Sequence, residues 1–276
     1  MLDRKLSYGH VVVDDVKLHY YRTGDEKPAV ILLHGLTDNG LCWGRIAFAL
    51  EPFYDVIMLD ARGHGLSQSA HSGFSIEERA ADVAGLIKEL GLDKPVIMGH
   101  SFGAETAALT AAYYPELVGG IILEDPPFWA EADKETEAGR SERFTNFKEH
   151  ITEIKNKSFD DLLEYAHKRH PGWDQTELFQ WVKSKQQFNM DALKIIQEKR
   201  PSWRSFINRI KCPVLLIISE NELGGIVTPE VAVEAAEKWK LAKVVQISDA
   251  GHNIRRDQYS AFLEVVKDYL KKITNW

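Results

Sequence analysis

Gly99-His100-Ser101-Phe102-Gly103 lies between an apolar run at 95–98 and a small-residue stretch at 104–109 that contains three alanines. The pattern reads as strand, sharp turn, helix, with a serine at the apex. Glycine on either side of such a turn removes the side chains that would collide with strand and helix, and it tolerates the strained backbone. The Ser101 hydroxyl then stands clear of the sheet, and the Phe102 amide opens a helix whose first N–H groups favour anions. G-x-S-x-G alone recurs by chance. The strand before it and the helix after it make Ser101 a candidate nucleophile.

Working outward, apolar runs at 29–33, 56–59, 120–123, 213–218 and 244–247 are hydrophobic on both faces, as strands covered by helices on two sides are. Segments at 11–13 and 16–21, joined by Asp14-Asp15, alternate with period two and predict an antiparallel hairpin. Residues 75–91 give the clearest helix: Ser75 and Glu78 have capping-box spacing, Ile76, Ala80, Val83, Ile87 and Leu90 form one stripe, and Gly91 closes it. Further helices are predicted at 43–50, 229–240 and 257–273. Strands alternating with helices imply an α/β fold with a doubly wound, mostly parallel eight-stranded sheet.

The strand pattern stops after Asp125. From 126 to 206 the chain reads as helical, charged and rich in aromatics, among them Phe128, Trp129, Phe144, Trp173, Phe188 and Trp203. This predicts two units: a core from 1–125 and 207–276, and a helical lid at 126–206 inserted after the sixth strand. Most of these aromatics are expected to form the lid's own core, with Phe128 and Trp129 expected to face the pocket.

A chain of 276 residues that is 44% hydrophobic and 27% charged can bury a substantial core and reads as an ordinary soluble protein rather than a disordered or membrane one. A net charge of −7 disfavours nucleic acid and anionic membranes as partners. Cys42 and Cys212 make no disulfide framework, and no spacing suits a metal. The lack of an apolar leader or a membrane-length run points to a cytoplasmic protein without membrane insertion. The sequence is equally compatible with a monomer and a homodimer.

A serine hydroxyl needs a base within reach, and the base needs an orienting acid. His252, in the loop after the last strand, shares the carboxyl edge of a parallel sheet with Ser101. Together with His34-Gly35, the turn Asp60-x-Arg62-Gly63-His64-Gly65-x-Ser67 and Gly251-His252, the Ser101 elbow resembles the α/β-hydrolase superfamily over essentially the whole chain. The resemblance implies a cap domain at 126–206, an oxyanion hole from the Leu36 and Phe102 amides, and an order of serine, acid, histidine. It implies no cofactor and no metal.

The acid departs from the family pattern. The turn after the seventh strand, 219–227, has no aspartate. Glu222 stands where one is expected and is the first candidate; Asp125, at the end of the sixth strand, is its competitor, with Glu124 and Glu220 as lesser rivals. His34, Gly35 and His100 are placed around the substrate, with His34 expected to brace the oxyanion loop, and Asp60, Arg62 and His64 are read as fixing their turn.

The expected activity is that of a serine hydrolase acting through an acyl-enzyme on a small-to-medium apolar carboxylic ester or lactone. A C–C bond hydrolase on a diketone-type substrate uses the same residues. A ligand receptor without turnover on the same fold is the alternative from a different class.

Overall fold

Asp14 and Asp15 both adopt positive φ, 46° and 64°, the two-residue turn whose twist suits a hairpin. It joins β1 (Ser7–Val13) to β2 (Val16–Arg22), with Val13 opposite Val16. The two-sided apolar runs form β3 (Ala29–Leu33), β4 (Asp55–Leu59), β5 (Val96–His100), β6 (Gly120–Glu124), β7 (Val214–Ile218) and β8 (Ala242–Gln246). These six pair in parallel with one another and β2 joins β4 antiparallel, giving one eight-stranded sheet in the order β1-β2-β4-β3-β5-β6-β7-β8. The computed structural model describes residues 6–24, 26–69, 73–130, 134, 136–198, 201–239 and 241–274.

Alternation along the central strands divides the core. Ile31, Leu33, Ile57 and Ile97 pack on one side with α2 (Ile76–Glu89), α3 (Phe102–Tyr113) and α7 (Pro229–Lys238). Val30, Leu32, Met58 and Met98 pack on the other with α1 (Gly44–Leu50) and α9 (Tyr259–Thr274). Each such side chain, fully withdrawn from water, contributes about 1.5–3 kcal/mol. The Ser75–Glu78 capping box opens α2 with both of its hydrogen bonds made. The C-terminal helix departs from the sequence reading. A short helix, α8 (Ile254–Asp257), precedes α9, and Gln258 at φ −129°, ψ 59° breaks the two apart.

Between β6 and β7 lie α4 (Glu137–Lys155), α5 (Phe159–Arg169) and α6 (Gln175–Gln187), each started by a side-chain cap from Thr136, Ser158 or Asp174. Their apolar faces gather Ile151, Leu162, Trp173, Val182 and Phe188 into a third cluster that also takes in Leu36, Ala61, Phe74 and Phe102. The inserted helices therefore pack on the loops that leave β3, β4 and β5. Trp203, one of the aromatics expected in the lid's own core, belongs instead with Phe206 to the main core on the α3 side. No described helix is long and apolar enough to cross a membrane.

Candidate active site

Ser101 sits between β5 and α3 at φ 51°, ψ −117°. Its neighbours explain how a non-glycine residue holds that conformation. A Cβ on Gly99 would overlap the Gly103 carbonyl, and one on Gly103 would overlap the Leu33 carbonyl, so the turn is as tight as three backbones allow. The Ser101 N–H donates to the Glu124 carbonyl at 2.9 Å, tying the elbow to the adjacent strand end. Phe102 is the first residue of α3, so its N–H has no acceptor within the helix.

The loop after β8 carries His252, whose Nδ1 lies 2.6 Å from Asp125 Oδ2. Asp125 immediately follows β6 at φ 41° and is fully buried. Its carboxylate also accepts the Ile226 N–H at 2.9 Å and the Val227 N–H at 3.0 Å. The structure thus brings Asp125, and not Glu222, to His252. The reason lies in the turn after β7: it offers backbone N–H groups to Asp125, while Glu222 sits in an exposed single turn, Asn221–Leu223. The two lesser rivals are engaged elsewhere. Glu124 accepts from the Arg255 backbone and guanidinium, and Glu220 accepts the Asp249 N–H.

After β3 the chain turns at Gly35, where the Asp38 N–H returns to the Gly35 carbonyl at 3.0 Å and Thr37 takes φ 71°. A Cβ on Gly35 would lie 2.7 Å from His100 Nδ1 and 3.7 Å from Ser101 Cβ. Only glycine lets this loop approach the elbow so closely. His34, 1% exposed, accepts the Ala61 N–H on Nε2 at 3.0 Å, so its Nδ1 donates to the Gly35 carbonyl at 2.9 Å. It braces the loop.

Two expected pocket residues are placed otherwise. His100 is buried, and its Nε2 donates to the His252 carbonyl at 2.8 Å; it holds the His252 loop. Phe128 is wholly inside the main core, stacked on Trp203 at 5.3 Å with Trp239 at 6.1 Å, because the chain turns inward at Pro126-Pro127. Trp129 is half-buried beneath the Arg143 guanidinium, 5.3 Å from its ring centre. In the Asp60 turn, the Asp60 carboxylate accepts the Gly40 and Leu66 N–H groups, and Arg62 forms a two-pronged pair with Asp82 at 2.6 and 2.7 Å.

A strained serine between strand and helix, a histidine after the last strand and an acid held on that histidine recur in one family. The family model described as alpha/beta hydrolase fold matches residues 28–255. The chain belongs to the α/β-hydrolase family. This α/β-hydrolase is similar to the N-formylmaleamate deformylase of Pseudomonas putida, at 26% identity across 95% of this chain and 96% of that protein. Among solved structures it is similar to E-2-(acetamidomethylene)succinate hydrolase, with a TM-score of 0.83 at 20% identity, covering 97% of this chain and 100% of that one. It is also similar to a malate-bound esterase from Thermogutta terrifontis, with a TM-score of 0.74 at 22% identity, covering 97% and 99%. At these identities the solved structures speak for the fold.

The interior of this hydrolase is charged as well as apolar. Asp38 accepts from Lys185 Nζ at 2.7 Å and from Arg256 Nη2 at 2.9 Å, and Arg255 Nη2 lies 3.5 Å away. Burial pushes the Asp38 carboxyl up, but Arg256, Lys185 and Arg255 outweigh it and hold the group well below the carboxylate range. Sequence reasoning missed all four residues. Asp38 and its arginine partners stand more than 200 positions apart along the chain, so no spacing signals them. Among the described residues, no group of three or more His, Cys, Asp or Glu is placed to hold a metal ion.

Burial, reinforced by neighbouring His34, lowers His64 to about 3, and burial with Arg255 and His252 lowers His100 well below its ordinary value. Between about 3 and the ordinary 6.5, the unfolded chain binds a proton at His64 that the folded chain refuses. Its contribution is therefore complete above the ordinary value and is lost as pH falls below it, by about 1 kcal/mol per pH unit. Unfolding free energy measured across pH 5.5–7.5 should fall with acid, and His64→Asn should flatten that slope by about 1 kcal/mol. Equal slopes would mean that His64 titrates normally.

Proposed function

We propose that this α/β-hydrolase is a serine hydrolase that cleaves a small or medium carboxylic ester or lactone through an acyl-enzyme. The observation that carries the reading is the 2.6 Å contact from His252 Nδ1 to a fully buried Asp125, on the sheet edge that also bears the strained Ser101. With a carboxylate as its acceptor, Nδ1 carries the proton and Nε2 is left with a lone pair, the form a general base requires.

In the proposed sequence, Ser101 Oγ attacks the carbonyl as His252 Nε2 takes its proton. The Leu36 and Phe102 N–H groups receive the oxyanion, the kind of preorganised donor pair that supplies a large share of acyl-transfer catalysis. His252 then protonates the leaving oxygen, and the acyl-enzyme remains. A water, deprotonated by the same nitrogen, hydrolyses it and restores Ser101. Asp125 stays ionised throughout and stabilises the imidazolium. The inserted helices act as a cap: Phe188, just past α6, and Phe102, at the start of α3, meet over His64 at 4.9 and 6.0 Å beside the elbow.

A second reading is supported by the relative that spans 95% of this chain, a deformylase by name. In that case the scissile bond is an amide, and His252 protonates a nitrogen. The test is a panel of p-nitrophenyl esters of rising acyl length, lactones of matching size, and N-formyl and N-acetyl amides, with wild type and Ser101→Ala in parallel. Ser101-dependent turnover of esters or lactones supports the first reading, and Ser101-dependent turnover of amides alone supports the second. Stoichiometric binding without turnover of any of them would overturn both and favour the receptor.

A further inference from the structure

Thr37 is a β-branched residue at φ 71°, a backbone conformation such residues rarely hold unaided. It follows Leu36, whose N–H is one of the two donors in the proposed reaction, so Thr37 anchors the C-terminal side of the residue that carries that donor. What holds it comes from outside the loop. Lys185, near the end of α6 and buried, donates from Nζ to the Thr37 carbonyl at 3.2 Å and to Asp38 Oδ1 at 2.7 Å. The other Asp38 oxygen is held from the core by Arg256 at 2.9 Å. One residue on, the Asn39 side chain donates to Gln187, also on α6, at 2.8 Å.

The same network reaches the other two loops of the site. Arg255, three residues after His252, donates to Glu124, the residue before Asp125, through its backbone N–H and its Nη1 at 2.8 and 3.0 Å. Arg256 reaches Glu177 on α6 at 3.2 Å. The end of α6 is fixed in turn: Lys155 on α4 donates to the carbonyls of Lys185, Gln186 and Phe188. A buried ion pair adds little net stability once desolvation is counted. A bridge that served only to dock the inserted helices has no need to grip the one strained peptide beside the oxyanion donor.

We propose that Lys185 is a positioning residue for the oxyanion hole, fixing the Thr37–Asp38 backbone so that the Leu36 N–H faces Ser101. Attachment of the inserted helices and assembly of the catalytic geometry are then one event. The inference rests on the acyl-transfer reading of the site.

Lys185→Met should lower kcat about tenfold to a hundredfold while KM moves by less than about threefold. It should weaken a boronic-acid analogue of the tetrahedral intermediate by the same factor and leave binding of the product acid unchanged. Hydrogen exchange at residues 34–40 should accelerate in this variant while the main core keeps its protection. Unchanged kcat with unchanged exchange at 34–40 would overturn the proposal, as would exchange raised evenly across the molecule, the mark of a merely structural role. If Lys185→Met does not fold, Asp38→Asn is judged by the same measurements, with a smaller loss expected because Lys185 still reaches the Thr37 carbonyl. If the wild type turns over no ester, lactone or amide, the acyl-transfer reading fails, and the exchange at 34–40 decides the positioning by itself.

Discussion

Ser101→Ala is expected to lower hydrolysis by about 10⁵- to 10⁶-fold while leaving the thermal midpoint nearly unchanged. The two halves of this expectation have separate causes. The loss of rate follows from deleting the atom that attacks in the proposed mechanism: with the oxyanion donors and the binding surface intact, what remains is the modest acceleration that those elements give to water. The unchanged stability follows from the backbone. Alanine keeps the Cβ, so the strain at φ 51° is the same before and after substitution, and the Gly99 and Gly103 contacts that impose it are untouched. Steady-state kinetics on the best substrate of the panel, with circular dichroism of both proteins, measures both halves. Activity near wild type in the variant would remove Ser101 from the mechanism.

The second large effect separates the two carboxylates. Asp125→Asn is expected to cost about 10⁴-fold in kcat, whereas Glu222→Gln stays within about twofold. Asp125 accepts three hydrogen bonds, from the Ile226 and Val227 amides and from His252 Nδ1. An asparagine has one acceptor oxygen for these three donors. If that oxygen serves the two amides, its NH₂ faces Nδ1 and forces the histidine proton onto Nε2, where it blocks removal of the serine proton. If the amide flips, its oxygen takes the Oδ2 place beside His252 and Ile226, the buried Val227 N–H loses its acceptor and the loop after β7 loosens. Glu222 is exposed in its turn, so its amide form disturbs neither. The reverse order of effects would mean that the turn after β7 rearranges during the reaction to bring Glu222 inward.

Much of this architecture was legible in the sequence because its determinants are local. The two-sided apolar runs, the Ser75–Glu78 box and the glycines around Ser101 each act within a few residues, and the sheet, α2 and the elbow stand where these place them. The pairing of His252 was not legible to the same degree. A glutamate in the turn after β7 and an aspartate after β6 have the same charge at the same sheet edge. The choice between them is made by where the 219–227 backbone points its N–H groups, with Ser219 buried beneath Gly225. The inward turn of Phe128 has a similar origin: its place depends on Trp203 and Trp239, far along the chain, and an aromatic after a double proline reads the same whether it turns inward or outward. The network around Asp38 had no local signature at all. It joins the β3 loop, α6 and α8, and only the folded chain brings them together.

In the proposed mechanism Ser101 is the nucleophile and is activated through His252 and Asp125. The direct measurement is covalent labelling by a fluorophosphonate, followed by intact-mass spectrometry over time and peptide mapping. Wild type and Glu222→Gln should each gain one adduct, on Ser101, at similar rates. Asp125→Asn should label far more slowly, and Ser101→Ala not at all. An adduct on any other residue, no adduct on folded wild type, or Asp125→Asn labelling as fast as wild type would contradict the account.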